Sequence, residues 1–154
     1  MARGSEIANL KVRDIRNVTY NKVTGYRVLF TTTKTREDGR SVFIDPSYNM
    51  TCPVYWLSRL LSERKKKEVS GEMLFGDIDT KSISGMLQRV AAAMKWEGNF
   101  TSHSLRIGGA SEAVLQGMPR ATIQLLGDWS SDAVDRYFKS SVDFGKKVTK
   151  EMGL

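Results

Sequence analysis

The chain has one cysteine and one histidine in 154 residues. Cys52 has no second cysteine with which to close an internal disulfide, which fits a reducing compartment. It reads most simply as a small buried hydrophobe. A single Cys and a single His leave no ligand set for a protein-only zinc site, so no metal is expected. Prolines are few, three in all. No apolar run approaches the roughly 20 residues of a membrane span, and no secretory signal opens the chain. Repeats, low-complexity segments and internal linkers are also missing, and the length suits one domain with a real core, residues 1–154. What is present in excess is positive charge. Lysine and arginine number 24 against 17 acids, giving a net charge of +7 and an isoelectric point near 9.6. That balance favours a polyanionic partner but does not by itself name one.

Periodicity divides the chain into a small β region and a longer α region. "GSEIANLKVRDI" reads as a short helix running into a strand. "YRVLFTTTKTREDGRSVFI" alternates, breaks at Asp38-Gly39 and resumes, as a β-hairpin whose turn region carries Lys34, Arg36 and Arg40. Pro46 and Pro53 bracket a loop. "VYWLSRLLSERKKK" follows as a helix with Trp56, Leu57, Leu60 and Leu61 on one face. Its basic end could be a nucleic-acid patch, but such runs are more often solvated helix termini favoured by the dipole. "TKSISGMLQRVAAAMKW" predicts an amphipathic helix with Ile83, Leu87, Val90 and Met94 as the inner stripe. A third helix begins near His103. A fourth runs from Pro119, a favoured first helical position, to Gly127, and a short fifth covers "SDAVDRYFK". The expected class is α+β, mostly α-helical, with a small N-terminal antiparallel sheet.

The lone histidine lies in "TSHSLRIGGAS". On a helix His103 and Arg106 share a face. A guanidinium fork and an imidazole aimed at one spot suit a phosphate: the fork binds two oxygens and the ring donates a hydrogen bond or moves a proton. Gly108, Gly109 and Ala110 would let another element pack closely behind them. A buried histidine bonded to backbone beside a structural arginine would leave the same three-letter trace. Downstream, "LLGDWSSDAVDRYFK" adds Trp129, a hydrogen-bond donor only, and Tyr137 eight positions later.

Taken with the upstream "ARGSEI" and "TTTKT", these segments resemble the catalytic domain of the tyrosine recombinases, the phage integrase family. The family signature is an early Arg in R-x-x-E, a Lys on a β-hairpin, H-x-L-R, a His or Trp after a Gly, and then a Tyr. Here those positions are Arg3 (with Glu6), Lys34, His103, Arg106, Trp129 and Tyr137. Each motif alone is weak, whereas the ordered set spans nearly the whole chain. The "LRIGGAS…LLGDWSSDAVDRY" wording is most similar to recombinases of eukaryotic mobile elements, the Crypton and DIRS-like groups.

The resemblance implies a DNA recombinase or integrase that cleaves and rejoins double-stranded DNA through a 3′-phosphotyrosine intermediate. Tyr137 would be the nucleophile, and Arg3 and Arg106 would clamp the non-bridging oxygens. Trp129 would add a neutral hydrogen bond, Lys34 would protonate the leaving 5′-oxygen, and His103 would exchange a proton near the tyrosine. Bond energy is kept in the phosphotyrosine, so no cofactor is expected. The implied partners are duplex DNA and further copies of the protein, a tetramer on DNA, with no membrane. Localisation would be intracellular, nuclear for a eukaryotic element and cytoplasmic for a phage or bacterial one. His103, Arg106, Trp129 and Tyr137 are expected to converge on one basic, concave surface.

Two other functions share these residues. A type IB topoisomerase uses the same chemistry, although the H-x-L-R box and "GDW" favour the recombinase. A domesticated DNA-binding module would keep the fold without cleavage. Individually, Tyr137 and Trp129 could be ordinary core aromatics, Lys34 a solvated hairpin lysine and Arg3 a chain-end arginine. The sequence also departs from the family pattern. Trp replaces the commoner His at 129, so that contact should not titrate, and Ile107 stands where many members have a basic or aromatic residue. The Trp-to-Tyr spacing is one residue shorter than in many bacterial relatives. Arg3 opens the chain, without the helix that usually precedes it or an N-terminal core-binding domain. A truncated catalytic fragment, weakly active alone, is therefore expected.

Overall fold

A computed structural model describes residues 1–31, 33, 38–67 and 71–138. Lys34 and Arg36 lie outside the described residues, as does the last residue expected in the fifth helix, Lys139. The chain is about half helical with one small antiparallel sheet, the α+β class expected. It divides into two compact units, Glu6–Ile78 and the combination of Met1–Ser5 with Asp79–Leu154. The boundary falls within the first helix, α1 (Gly4–Ala8).

The Glu6–Ile78 unit is built on a three-stranded meander. A 3-10 turn, Val12–Asp14, leads into β1 (Ile15–Tyr20), β2 (Val23–Phe30) and β3 (Arg40–Ile44), in the sheet order β1-β2-β3. The β1–β2 connection is Asn21-Lys22, both with positive φ (47° and 67°), the conformation that matches the twist of a two-residue hairpin. The register pairs Arg16 with Arg27 and Ile15 with Val28, and Tyr26 with Ile44 across the other ladder. Strand alternation then sends Tyr26, Val28 and Phe30 into the core and leaves Arg27 and Leu29 on the open face. Leu10 and Leu74 close the core beneath, joined by Leu74 N–H donating to Leu10 O at 2.7 Å.

Arg40 lies beyond the turn region to which the sequence assigned it. It opens β3 with its side chain 8% exposed, pairs with Glu6 at 3.3 Å and stacks 4.7 Å from the Phe30 ring centre. A buried charge needs such a partner, and removing one member of a buried pair typically costs about 3–5 kcal/mol. Next, α2 (Pro53–Lys66) starts after Cys52, which is buried as expected. The Tyr55 backbone N–H, foremost, pulls the thiol down to about 7. The face expected to be apolar is only half covered. Trp56 is half exposed, its indole donating to Met50 O at 2.8 Å, and no α2 residue is fully buried.

In the other unit, α3 (Thr80–Ala93) is capped by Asp79, whose carboxylate accepts the Ser82 N–H at 2.7 Å. That bond and the Ser82 hydroxyl hold the Asp79 carboxyl below its ordinary range. The buried residues of α3 are Ile83 and Ala91, with Val90 and Met94 exposed. The contact stripe follows an i, i+4 row through positions 83, 87 and 91, rather than the drift to 90 and 94 expected from periodicity. It serves a helix whose close partner is α4 (Ser102–Leu115). Ser102 N–H donates to Ser84 Oγ at 2.9 Å and ties the start of α4 to α3. α4 buries Arg106, Ala110 and Ala113, the i, i+4, i+7 face of one helix. α5 runs Arg120–Gly127, with Pro119 as the residue before the first turn rather than within it. Ala110, Ala113, Ile123, Val134 and Tyr137 form the core of this unit.

Candidate active site

Five of the six residues singled out in the sequence belong to the unit containing α3–α5, and the sixth is Lys34. The organising feature is the turn that ends α5. Asp128 adopts the left-handed conformation (φ 54°, ψ 48°) and turns the chain sharply, with its N–H returning to Leu125 O at 3.1 Å. The Trp129 ring then folds back over Gly127. A Cβ placed on Gly127 would fall 1.7 to 2.5 Å from three carbons of that ring, so only glycine fits. The "GDW" triplet is thus one steric device.

Both candidate arginines engage this turn. Arg106, 3% exposed, donates through one terminal nitrogen to Gly127 O and through the other to Met1 O at 2.7 Å. Its guanidinium lies 4.1 Å from the Trp129 ring centre. Arg3 reaches the next residue: one terminal nitrogen is 3.5 Å from the Asp128 carboxylate and the other donates to Asp128 O at 3.3 Å. The chain can bring Arg3 there because Gly4 lies against Ser102, where a Cβ would come within 2.7 Å of the serine Cβ.

Trp129 touches both Arg106 and Tyr137, the two aromatic ring centres being 5.3 Å apart. The indole N–H makes no hydrogen bond among the described residues, so this donor is unspent. Tyr137 is 5% exposed and packs within the core cluster. Arg106, Trp129 and Tyr137 therefore meet, but with Arg106 and Tyr137 buried and Trp129 half-buried between chain segments, rather than on the concave surface expected. Tyr137 follows Val134 on a short helical segment whose apolar side faces Ile123 and Ala113, and burial of the ring completes that core. His103 is one turn from Arg106 on α4, exposed and without a side-chain hydrogen bond among the described residues. Of the small residues behind it, Ala110 is fully buried, Gly109 is in ordinary contact with Met1, and Gly108 faces open space.

Arg120 had no signal in the sequence beyond following a proline. Its Nε donates to Asp135 at 2.5 Å, and a terminal nitrogen donates to the second Asp135 oxygen at 3.1 Å and to Asp132 at 2.7 Å. These carboxylates, Asp135 first, raise the arginine's hold on its proton further. The 3-10 turn Asp132–Val134 and the tyrosine segment are thereby clasped to α5. Gln124, also bonded to Arg120 at 2.9 Å, donates to Trp129 O at 3.2 Å.

The family model described as "Phage integrase family" matches residues 1–142, from the segment of Arg3 past Tyr137. The chain belongs to the phage integrase family. Membership implies a tyrosine recombinase or integrase domain that binds DNA. No curated protein and no solved structure matches the chain. No helix among the described residues is long and apolar enough to cross a membrane.

The steric reading of Gly127 gives a direct prediction. Gly127→Ala should force Trp129 out of its place between Arg106 and Tyr137 and cost about 2–3 kcal/mol, as overpacking of a filled site does. Urea unfolding measures the loss, and a wild-type midpoint in the variant would contradict the packing described.

Proposed function

We propose that the chain is the catalytic part of a DNA strand-exchange enzyme that cleaves one strand with Tyr137. The carrying observation is the stack of Arg106, Trp129 and Tyr137, with Arg3 tied to the same turn. Residues scattered over most of the chain gather there in the types that phosphoryl transfer to tyrosine requires. In this reading Tyr137 Oη attacks phosphorus and gives its proton to His103. The bond to the 5′-oxygen breaks, and that oxygen takes a proton from Lys34. Arg3 and Arg106 turn from backbone and carboxylate oxygens to the non-bridging oxygens, where extra negative charge develops. Trp129 donates its unspent N–H to the same group. Rejoining reverses each step and needs no added energy source. The partner is duplex DNA, with copies of the protein assembling on it as a tetramer, and the element of origin is a mobile one.

A second reading is favoured by one observation, the burial of Tyr137: a domesticated module that binds DNA without cutting it. A duplex nicked beside the cleavage site separates the two, because the cut fragment diffuses away and traps the covalent product. The expected result is a protein–DNA adduct that survives denaturation and forms equally well in EDTA. Adduct lost with EDTA would mean a metal-dependent nuclease. Binding without adduct on any duplex would leave the non-cleaving module.

A further inference from the structure

The open face of the sheet carries a feature that the proposed chemistry does not use. Arg16 on β1 and Arg27 on β2 are directly opposite in the antiparallel register. Cross-strand neighbours place their Cβ atoms about 5 Å apart, and like charges in that relation destabilise a sheet. Both side chains are exposed, and neither makes a hydrogen bond or ion pair among the described residues. A third arginine, Arg13 on the 3-10 turn before β1, joins them. All three line one cavity of about 180 Å³, closed by Asp14, Leu29 and Ser41.

The charge in this cavity is not balanced from within. Asp14 is buried and its carboxylate already accepts the Lys11 N–H at 2.9 Å. Arg13 has one weak, exposed partner, Glu72 at 3.5 Å. Glu72 itself is held more closely by Lys11 at 2.8 Å, and that hydrogen bond, then the charges of Lys11 and Arg13, keep its carboxyl below the ordinary range. Three arginines and one carboxylate, already accepting a backbone N–H, thus line a single hollow with room for an oxyanion. Arginine is the side chain suited to such an anion, because its planar fork gives two parallel N–H donors to two oxygens.

We infer that Arg13, Arg16 and Arg27 form a phosphate-binding site on the open face of the sheet, which holds a backbone phosphate of duplex DNA. The inference rests on the reading of the protein as DNA-binding, since free phosphate would satisfy the same donors. The duplex is favoured because the site is exposed and belongs to a chain of net charge +7. Phosphate contacts of this kind fix register without reading sequence. None of the three arginines is among the residues assigned to strand cleavage.

The test compares three proteins: wild type, Arg16→Gln/Arg27→Gln, and Arg89→Gln/Lys95→Gln, which removes the same charge from exposed positions elsewhere. Affinity for a short labelled duplex of arbitrary sequence is read by fluorescence anisotropy over a range of salt. The Arg16/Arg27 variant should bind at least about 10-fold more weakly near 0.1 M salt, with the log–log salt slope reduced by about 2. The control should lose far less. Without DNA, the Arg16/Arg27 variant should melt about 2 °C higher, because a repulsive pair has gone, which also shows that it folds. Equal losses in both variants, or an unchanged slope in the Arg16/Arg27 variant, would overturn the site while leaving strand cleavage intact, as continued adduct formation would show. A wild type that binds no duplex would overturn both. Inorganic phosphate, titrated by NMR, tests the source: a phosphate response lost in the variant with duplex affinity unchanged would reduce the site to one for small anions and overturn the duplex assignment.

Discussion

Tyr137→Phe should abolish the covalent protein–DNA adduct, by more than about 1,000-fold, while duplex affinity stays within about twofold. The substitution removes one oxygen. The ring keeps its place beside Trp129 and in the core with Ile123 and Val134, and both arginines keep their contacts with the Gly127–Asp128 turn. Fold stability should fall by no more than about 1 kcal/mol, the usual worth of one hydroxyl's hydrogen bond. The measurements are a denaturing gel for the adduct, anisotropy for binding and urea unfolding for stability. An adduct that persists would move the nucleophile to another residue. A large loss of stability would mean that the hydroxyl is structural.

Arg106→Ala should fail in a different manner, in the fold as well as in the chemistry. The guanidinium satisfies the carbonyls of Met1 and Gly127 and stacks on Trp129, all from a side chain 3% exposed. Truncation leaves two carbonyls short of a donor and a void beside the indole, at a cost of about 3–5 kcal/mol. Arg106→Lys should recover only part of this, because an ammonium cannot reach two divergent carbonyls while lying flat on a ring. Adduct formation, measured at a temperature where both variants remain folded, should be lost in each. Wild-type unfolding midpoints in Arg106→Ala would contradict the contacts described. A wild-type adduct yield in a folded Arg106→Lys would instead remove Arg106 from the phosphate clamp.

The fold was legible wherever a pattern is local. Strand alternation in β2, the Asp38-Gly39 break and the start of a helix near His103 follow from neighbours two to four residues apart. The departures arose where distant packing decides. Val90 and Met94 match a helical stripe as well as Ala91 does, and only the row that α3 lays against α4 selects Ala91. Arg40 reads as part of the hairpin's turn region until Glu6, 34 residues away, is seen to pair with it. At the site, residue types and order pointed to the arginines, Trp129 and Tyr137. The roles of Gly127 and Asp128 were visible only as part of "GDW". The burial of Tyr137 was present only as the alternative of an ordinary core aromatic, because packing against Ile123 and Ala113, with Arg120 gripping two aspartates beside it, is not written in any local pattern.

That grip has a kinetic meaning. If Tyr137 is the nucleophile, as proposed, a residue only 5% exposed is withheld from phosphorus in the arrangement described, and the segment bearing it would first have to swing out. Leaving the core means breaking the Arg120 contacts with Asp132 and Asp135. In that case the hydroxyl would act as a reagent supplied in small doses, and cleavage would run at its intrinsic rate multiplied by the fraction of molecules in the opened state. Whatever stabilises that state, a neighbouring copy or the duplex itself, would set when a strand is cut, and stray DNA would meet a protein whose nucleophile is withheld.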